Sequence, residues 1–511
     1  MLSKLNTLCL KGIDGREVLA EVYIASGLPA YSVVGLPDAA VKEAKDRVVA
    51  AVRNSGFDFP AKRITVNLAP AEIKKAGTHF DLPIALGVIA ASGKLGKKPP
   101  ARFENTFFIG ELALDGALRP VAGVLPMLLA LKGRDVTAIV PAGNSAEAAV
   151  SGVNCLSASD LKQVASWLAG QGELAACAAA PTARISSGDG NDFSEVKGQP
   201  FAKRALEIAA AGFHNVILVG PPGAGKSMLA RRFGALLPPM TFDESLETTK
   251  LYSVSGLGTA GRLIGERPFR EPHHTISDAA LIGGGSSPRP GEVSLAHNGV
   301  LFLDEFPEFS RPAIEALREP LEAWKVTVSR VKESVAYPAR FLMVAAMNPC
   351  PCGYLGHPTR ECSCTPLQVH KYRAKISGPI LDRIDLQVQL SAVKYADWEA
   401  VPKGEPSAAI AGRVLKAIEI QRKRFKGVAK ANAFMAGAEL RRHCALPEGA
   451  SAVLETAMNK LGFSARSLDK ILKISRTIAD LEGSSGIKRE HIIEAVQYRM
   501  LDKSAALAAG F

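Results

Sequence analysis

The stretch Gly220-Pro-Pro-Gly-Ala-Gly-Lys-Ser227 decides the fold of this chain. It follows a short apolar, β-branched run, residues 215–219, which is typical of a buried strand. It precedes residues 228–237, whose pattern predicts a helix that ends before two prolines. A strand, a glycine loop and a helix in this order indicate a phosphate-binding loop. The alternative, a glycine-rich turn with a surface lysine, does not require these flanking elements.

Each residue type in this loop has a chemical reason to be there. Glycines let backbone N–H groups curl around an anion, and the following helix adds the partial positive charge of its N-terminus. Lys226 can reach the β- and γ-phosphates, and the Ser227 hydroxyl can bind Mg²⁺. We therefore predict ATP and Mg²⁺ here, contacted by the whole loop: Gly220, Pro221, Pro222, Gly223, Ala224, Gly225, Lys226 and Ser227.

Two further strand ends supply polar groups. The apolar run of residues 299–303 ends in Asp304 and Glu305, which is the Walker B pattern. Asp304 would hold Mg²⁺, and Glu305 would orient and activate the attacking water. Residues 341–347 predict another buried strand, and Asn348 follows it with an amide that could hydrogen-bond the γ-phosphate or that water. The strands are expected to be neighbours in one doubly wound α/β sheet.

Composition limits the possible partners. The chain has 511 residues, of which 47% are hydrophobic and 22% charged, and this suits two or three folded domains. The formal net charge of +12 favours a polyanionic partner, although a spread-out excess of lysine also occurs on solvated surfaces. We find neither a signal peptide nor an apolar run long enough for a membrane span, so we expect a cytoplasmic location and no membrane partner.

The order of these segments predicts four parts. Residues 1–172 alternate strand and helix patterns and predict an α/β domain, in which residues 39–54 form an amphipathic helix. The small and polar residues of 173–192 predict a linker. The ATPase core would cover residues 193–395, and a helical domain residues 396–511.

A cysteine cluster is inserted in the predicted core, at residues 350–364: Cys350, Cys352, Cys362 and Cys364. Four thiols this close suit a tetrahedral structural Zn²⁺ site, although the C-x-C spacing is tighter than the usual C-x₂-C. A closed set of four thiolates leaves no open position, so the site would be structural. Free or redox-active thiols are the alternative, and His357 or His370 could replace one cysteine.

Two segments of the core are candidates for contact with a partner. Residues 262–277 are basic and rich in turn residues, and they predict a solvated loop or a loop presented to a partner. Residues 325–337 alternate and predict a β-hairpin with Arg330 and Lys332 near its tip. A metal at the adjacent histidines of the first segment is disfavoured, because neighbouring residues rarely ligate one ion without further ligands. The candidate residues of that segment are Arg270, His273 and His274.

From residue 193 onward the chain resembles the magnesium-chelatase-like branch of AAA+ ATPases. With its N-terminal domain and four cysteines, it is similar over nearly its full length to the ComM (YifB) family. The motifs that carry the resemblance are Gly220-Pro-Pro-Gly-Ala-Gly-Lys-Ser227, Arg270-Glu-Pro-His-His-Thr275, Val300-Leu-Phe-Leu-Asp-Glu305, Asn348-Pro-Cys-Pro-Cys352, Leu381-Asp-Arg-Ile-Asp385 and Ser464-Ala-Arg-Ser-Leu468. The resemblance implies a homo-hexameric ring helicase. It would drive branch migration on single-stranded, forked or branched DNA during integration of incoming DNA in natural transformation.

The resemblance also implies residue roles. Asn348 resembles the sensor 1 residue. Arg383 resembles the arginine finger, which is placed into a neighbour's ATP site. Arg466 resembles sensor 2, where the alternative is an exposed arginine at a helix start. The residues that would pack on adenine are Val196, Gly198 and Gln199.

The same resemblance implies where DNA would bind. The Arg330–Lys332 tip resembles a hairpin that points into the pore of ring helicases, and the loop with Arg270, His273 and His274 resembles their helix-2 insert. Lysine and arginine contact phosphates without reading bases, so we expect sequence-independent, salt-sensitive binding.

The N-terminal domain resembles the proteolytic domain of Lon-type proteases. The similar pieces are Lys75-Ala-Gly-Thr-His-Phe-Asp-Leu-Pro-Ile-Ala-Leu86 and Gly110-Glu-Leu-Ala-Leu-Asp-Gly-Ala-Leu-Arg-Pro-Val-Ala-Gly-Val-Leu125. In that family the pieces carry a serine nucleophile and a lysine base, whose positions here match Asp81 and Leu125. A carboxylate and an aliphatic side chain cannot perform Ser–Lys acyl chemistry, so we expect a protease-like fold without protease activity.

Two alternatives remain open. A magnesium-chelatase motor that remodels a protein partner would explain the ATPase half equally well. It would not explain the basic charge, the N-terminal domain or the cysteine cluster. An ATP-dependent protease is disfavoured because its serine and lysine are missing.

Overall fold

A computed structural model of the chain describes residues 1–95, 101–178, 192–257, 262–285, 288–330, 333–392, 404–428, 430–461 and 463–499. Within these ranges, we find no helix long and apolar enough to cross a membrane. The chain forms two compact units. The first comprises Met1–Arg184 with Phe242–Gly265, and the second comprises Ile185–Thr241 with Glu266–Phe511.

The first unit is built on a mixed sheet of eight strands. Their spatial order is Ala175–Ala176, Asn154–Ala158, Thr137–Pro141, Thr106–Phe108, Leu2–Lys11, Asp14–Ala25, Arg63–Ala69 and Ala30–Val34. Strands Leu2–Lys11 and Asp14–Ala25 form an antiparallel hairpin within this sheet. Their pairing runs from Leu2 opposite Tyr23 to Lys11 opposite Asp14. A separate short hairpin pairs Glu111–Leu112 with Leu118–Arg119.

Helices pack on this sheet through apolar faces. The predicted amphipathic helix is observed at Ala39–Asn54, where the side chain of Asp38 caps the first turn by accepting from the Val41 N–H. The α-helices of the unit are Ala39–Asn54, Asp81–Ala91, Val124–Leu129, Ser145–Ala149, Leu161–Leu168 and Phe242–Val254. Short 3₁₀ turns occur at Thr78–Phe80, Ala101–Phe103 and Ala142–Asn144.

Two segments of the first unit lie outside the part of the chain that the sequence assigns to the N-terminal domain. Strand Ala175–Ala176 pairs with Asn154–Ala158, within the predicted linker. Helix Phe242–Val254 packs on Val124–Leu129, although the sequence places it in the ATPase core. Its buried positions are mostly Ser and Thr, so it has no apolar stripe from which its packing partner could be predicted.

The two positions matched to the Lon-type serine and lysine are both buried. The Asp81 carboxylate pairs with Arg47 at 2.7 Å, and its side chain is 1% exposed. Burial raises the pKa of Asp81, while the hydrogen-bonded Arg47 guanidinium opposes that change. Leu125 is also fully buried, so these two positions form packing and ion-pair contacts.

The second unit is built on a sheet of five strands. Their spatial order is Phe269–Arg270, Val300–Leu303, Leu342–Met347, Val216–Val219 and Leu386–Gln389, and every neighbouring pair is parallel. The three central strands are apolar and buried at every position, as expected for a parallel sheet covered on both faces.

Helices surround this sheet and continue into a helical C-terminal region. The α-helices are Pro200–Gly212, Lys226–Phe233, Asp278–Ile282, Glu292–Leu295, Arg311–Ala316, Arg318–Ala323, Pro366–Arg373, Gly378–Leu381, Ser407–Arg424, Ala438–His443, Glu448–Leu461, Ala465–Leu481 and Arg489–Gln497. The 3₁₀ turns are Phe193–Glu195, Gly234–Leu236, Phe306–Glu308 and Asn432–Phe434. Two-stranded ribbons pair Gly283–Gly284 with Arg289–Pro290, and Lys325–Arg330 with Glu333–Pro338. This is the α/β core with hairpin inserts and C-terminal helices that the sequence predicts.

Candidate nucleotide-binding site

The predicted ATPase residues follow the carboxyl ends of neighbouring strands. Gly220 follows Val216–Val219, Asp304 follows Val300–Leu303, and Asn348 follows Leu342–Met347. These three strands are parallel and adjacent, so their carboxyl ends share one edge of the sheet. Crevices at that edge are where α/β proteins bind ligands.

The glycine loop has the backbone that a phosphate cradle needs. Gly223 and Gly225 have φ values of 77° and 88°, a region that glycine occupies without strain. A Cβ built on either residue meets no heavy atom within 4 Å, so the side of the loop next to them is open. Gly225 caps the helix Lys226–Phe233, whose first N–H groups have no partner within the helix. The loop therefore fits a polyphosphate.

The Lys226 ammonium is held across the mouth of this loop. It donates to the carbonyls of Gly220 at 2.6 Å and Pro221 at 3.0 Å, and to Oδ1 of Asn348 at 3.0 Å. Burial lowers the pKa of Lys226, while the carboxylates of Asp304 and Glu305 oppose that change. An ammonium has three donors, so these three acceptors satisfy it.

Two oxygen atoms next to the loop suit a magnesium ion. The Ser227 hydroxyl donates to Oδ2 of Asp304 at 2.7 Å, and the other oxygen of Asp304 accepts from the Glu305 N–H at 2.9 Å. Mg²⁺ prefers hydroxyl, carboxylate and phosphate oxygens and keeps several waters. The donor set of Ser227 and Asp304 therefore fits this ion.

One of the predicted adenine-binding residues, Gln199, contacts the same loop. Gln199 donates from Nε2 to the Ala224 carbonyl at 3.3 Å and to the Ser391 carbonyl at 2.8 Å. Val196 is buried, and Gly198 and Gln199 both have positive φ values, 69° and 55°. Gln199 thus lies against the phosphate loop, at the start of helix Pro200–Gly212.

The loop predicted to contact DNA reaches the ATPase residues. Nδ1 of His274 lies 3.1 Å from Oε2 of Glu305, and the His273 ring contacts the His274 ring at a tilt of 33°, with centroids 4.2 Å apart. Arg270 forms a bidentate pair with Glu292 at 2.6 and 2.7 Å. Sequence reasoning missed the His274–Glu305 contact. The available signal was the position of the histidines just after a short strand.

Arg383 lies at the opposite edge of the sheet. It precedes Leu386–Gln389, which pairs in parallel with Val216–Val219, with Val216 opposite Leu386. The phosphate loop follows the carboxyl end of Val216–Val219, whereas Arg383 lies just before the amino end of Leu386–Gln389. Four strand residues span about 13 Å, so Arg383 is remote from the loop of its own chain.

Arg466 lies beside Arg383. Its Nη1 is 3.5 Å from Oδ2 of Asp382, and its side chain is 77% exposed. Arg383 hydrogen-bonds Glu322, and its buried Nε has no hydrogen-bond partner among the described residues. Both arginines line one cavity of about 360 Å³, which also contains further cations, Lys470 and Lys473.

Of the predicted hairpin tip, Arg330 ends the strand Lys325–Arg330. Lys332 lies outside the described residues, so the DNA-binding role of this tip stays a prediction.

The four clustered cysteines converge, and their sulfur atoms all lie within 4.8 Å of one another. The Sγ–Sγ distances are 3.4 Å for Cys350 and Cys352, 3.6 Å for Cys350 and Cys362, and 3.5 Å for Cys352 and Cys362. Four thiolates around a tetrahedral metal at about 2.3 Å would be about 3.8 Å apart, so this cluster could hold a metal ion. Nδ1 of His357 accepts instead from backbone N–H groups in its own turn.

This fold and these strand ends define a P-loop ATPase of the AAA+ class. Three family models match the chain: Magnesium chelatase, subunit ChlI, over residues 192–398, its C-terminal region over 404–499, and Subunit ChlI of Mg-chelatase over 20–144. The magnesium-chelatase 67 kDa subunit of Chlorobaculum parvum is 29% identical over 159 residues, which are 31% of this chain and 23% of that protein.

Similarity to two other bacterial proteins extends along nearly the whole chain. The protein YifB of Salmonella typhimurium is 43% identical over 511 residues, 98% of each chain. The competence protein ComM of Haemophilus influenzae is 44% identical over 496 residues, 96% of each chain. The chain belongs to the ComM/YifB family of magnesium-chelatase-like AAA+ proteins, and this class implies ATPase activity.

Proposed function

We propose that this protein is an ATP-driven DNA helicase or translocase. It would act as a homo-hexameric ring and promote branch migration during homologous recombination of incoming DNA in natural transformation. The observation that carries the proposal is the separation of Arg383 from the phosphate loop across the sheet. Because Arg383 is remote from the phosphate loop of its own chain, a complete ATP site would need Arg383 from a neighbouring subunit. The basic charge and the similarity to a competence protein support DNA as the substrate of such a ring.

The residues of one subunit would divide the work of ATP hydrolysis. Ser227 and Asp304 would hold Mg²⁺, which would supply positive charge next to the phosphates. When nucleotide binds, the Lys226 ammonium would replace its hydrogen bonds to loop carbonyls and Asn348 with hydrogen bonds to phosphate oxygens. Glu305 would orient a water for in-line attack and accept its proton, and Asn348 would position that water or the γ-phosphate.

The arginine pair would serve the adjoining subunit. Arg383 would stabilise charge on the phosphoryl group transferred in the neighbour's site. Arg466 lines the same cavity as Arg383 and lies near the carboxylate of Asp382. This supports a role for both arginines in the neighbour's ATP site. The resemblance implies that Arg466 lies near a nucleotide but does not say in which subunit, and its position beside Asp382 favours the neighbour's site.

The loop with Arg270, His273 and His274, together with the Arg330–Lys332 tip, would contact the DNA backbone. Cations at these positions attract phosphates of any sequence, so binding would weaken as salt rises. For the cysteine cluster we propose a structural Zn²⁺ held by four thiolates, because the sulfur separations suit that ion and leave no open position.

The family models favour a second candidate, a motor that remodels a protein partner as magnesium-chelatase subunits do. One experiment separates the two functions. The ATPase rate and the oligomeric mass are measured with and without forked DNA at low salt, for the wild type and for Lys226→Ala. The helicase proposal expects a DNA-stimulated rate in the wild type and none in the variant. If DNA neither binds nor changes the rate, the helicase proposal is overturned and a protein substrate is sought.

A further inference from the structure

The cysteine cluster touches the phosphate loop through Gly353. A Cβ built on Gly353 would lie 2.7 Å from Cδ and 2.9 Å from Cγ of Pro222, the third residue of the loop. Only a residue without a side chain allows this approach. Gly353 directly follows Cys352, so one side of the cluster rests on the ring of Pro222.

The other side of the cluster is joined to Asn348. Cys350 is fully buried and follows Asn348 by two residues, and the Oδ1 of Asn348 accepts from Lys226 at 3.0 Å. The Pro349 carbonyl between them accepts from Nε of Arg373 at 3.2 Å. Cluster and loop therefore meet at two points, one at Pro222 and one at Lys226.

Apart from the thiols and its contacts with the phosphate loop and Arg373, this segment is held by contacts among its own exposed or half-buried residues, such as the hydrogen bond from Arg360 to the Tyr354 hydroxyl at 2.8 Å. Residues 348–365 contain neither helix nor strand, and Gly353 is the only buried residue between positions 351 and 365. A long loop without an apolar core loses much conformational entropy when it is ordered. Metal sites of four cysteines supply that order in small folds, where binding free energy becomes folding free energy.

We propose that the metal held by the cysteine cluster stabilises the ATP site and is needed for tight nucleotide binding. It would fix the segment from Asn348 to Gly353 so that Pro222 and Lys226 keep the positions that nucleotide needs. This inference rests on the metal site proposed above. Loss of the metal would release both contacts and weaken nucleotide binding, even though no cysteine touches the nucleotide.

The test uses the full chain and measures zinc content, affinity for a fluorescent ATP analogue with Mg²⁺, and thermal unfolding. The double variant Cys362→Ser/Cys364→Ser is expected to lose zinc and at least about tenfold in nucleotide affinity. Cys177→Ser, a cysteine outside the cluster, is its control. A zinc-free wild type overturns the metal site itself. Zinc loss with unchanged affinity overturns only the coupling.

A second pair of variants separates the contact from the metal. Gly353→Ala keeps all four thiols and should retain zinc, yet it should bind nucleotide at least about tenfold more weakly, because its methyl group displaces Pro222. Gly356→Ala is the matched control, since Gly356 also has positive φ, 77°, but a Cβ there meets no heavy atom within 4 Å. Equal affinities in these two variants would overturn the proposal.

Discussion

Nδ1 of His274 lies 3.1 Å from Oε2 of Glu305, so an imidazole from a basic loop contacts the second carboxylate of the Asp-Glu motif. The order of strands in the sheet explains this contact between His274 and Glu305. His274 comes shortly after strand Phe269–Arg270, which pairs in parallel with Val300–Leu303, the strand that ends before Asp304 and Glu305. Both side chains therefore emerge at the same edge of the sheet. A loop proposed to face DNA is thereby in contact with the residue proposed to activate water.

His274→Ala is expected to raise the ATPase rate without DNA, because Glu305 is no longer held by the imidazole. The pair is partly exposed, and such pairs contribute up to about 1 kcal/mol, which limits the increase to about fivefold. DNA stimulation should fall by a similar factor. Steady-state ATPase assays with and without forked DNA measure both. His273→Ala is the control for the rate without DNA, since the His273 ring nitrogen bonds Thr275 and not Glu305. A DNA-free rate that stays equal or falls in His274→Ala contradicts this role.

Glu305→Gln should abolish hydrolysis while keeping nucleotide binding. The amide preserves the shape of the side chain but cannot accept the proton of the attacking water, so we expect a loss of at least about a hundredfold in rate. Lys226→Ala should instead weaken binding, because the loop loses its cation. Nucleotide titration beside the ATPase assay distinguishes the two variants. Equal loss of nucleotide affinity in both would refute this division of roles.

Arg383 should act on the ATP of a neighbouring subunit. Arg383→Ala and Glu305→Gln are each expected to be nearly inactive alone. A mixed ring can contain a site with an intact Glu305 from one subunit and an intact Arg383 from the next, so mixing the two proteins should restore part of the ATPase rate. The double variant mixed with either single variant is the control, because such a ring contains no site with both residues intact. No recovery on mixing, under conditions where subunits exchange, would contradict action between subunits.

The sequence predicts local structure well where one segment carries the whole pattern. The helix Ala39–Asn54 and the strands around the phosphate loop have a clear apolar periodicity or run, and they form as predicted. The meeting of Lys226, Asp304 and Asn348 also follows, because parallel strands share an edge.

What depends on distant packing could not be predicted. The helix Phe242–Val254 buries mostly hydroxyl side chains, which indicate no partner. The position of Arg466 depends on how helix Ala465–Leu481 packs, and its own sequence gives only the apolar face. The contacts of His274 with Glu305 and of Gly353 with Pro222 join residues far apart in the chain. The sequence offers only a weak signal for the first, the position of the histidines after a short strand, and none for the second.

Asp385 should stabilise the second unit in a pH-dependent way. It lies two residues after Arg383, and its carboxylate is 3.0 Å from Nζ of Lys470 and 3.2 Å from Nδ1 of His214. Burial alone would raise its pKa, but the charges of Lys470 and His214 lower it below the ordinary value. A depressed pKa contributes stability that is present above the unfolded-state value of about 3.9 and is lost as pH falls toward the folded-state value.

Asp385→Asn is therefore expected to lower the free energy of unfolding by roughly 3 kcal/mol at pH 7, because Lys470 is left buried without its partner charge. The difference from wild type should shrink below about pH 4, where the wild-type carboxylate begins to lose its advantage. Denaturant unfolding from pH 7 down to pH 3 measures this change. Asp469→Asn removes an exposed carboxylate one residue from Lys470 and should change stability little at any pH. A difference between Asp385→Asn and wild type that stays constant across this range would contradict ionic stabilisation. It would leave the loss to packing or hydrogen bonding, which do not depend on the charge of residue 385.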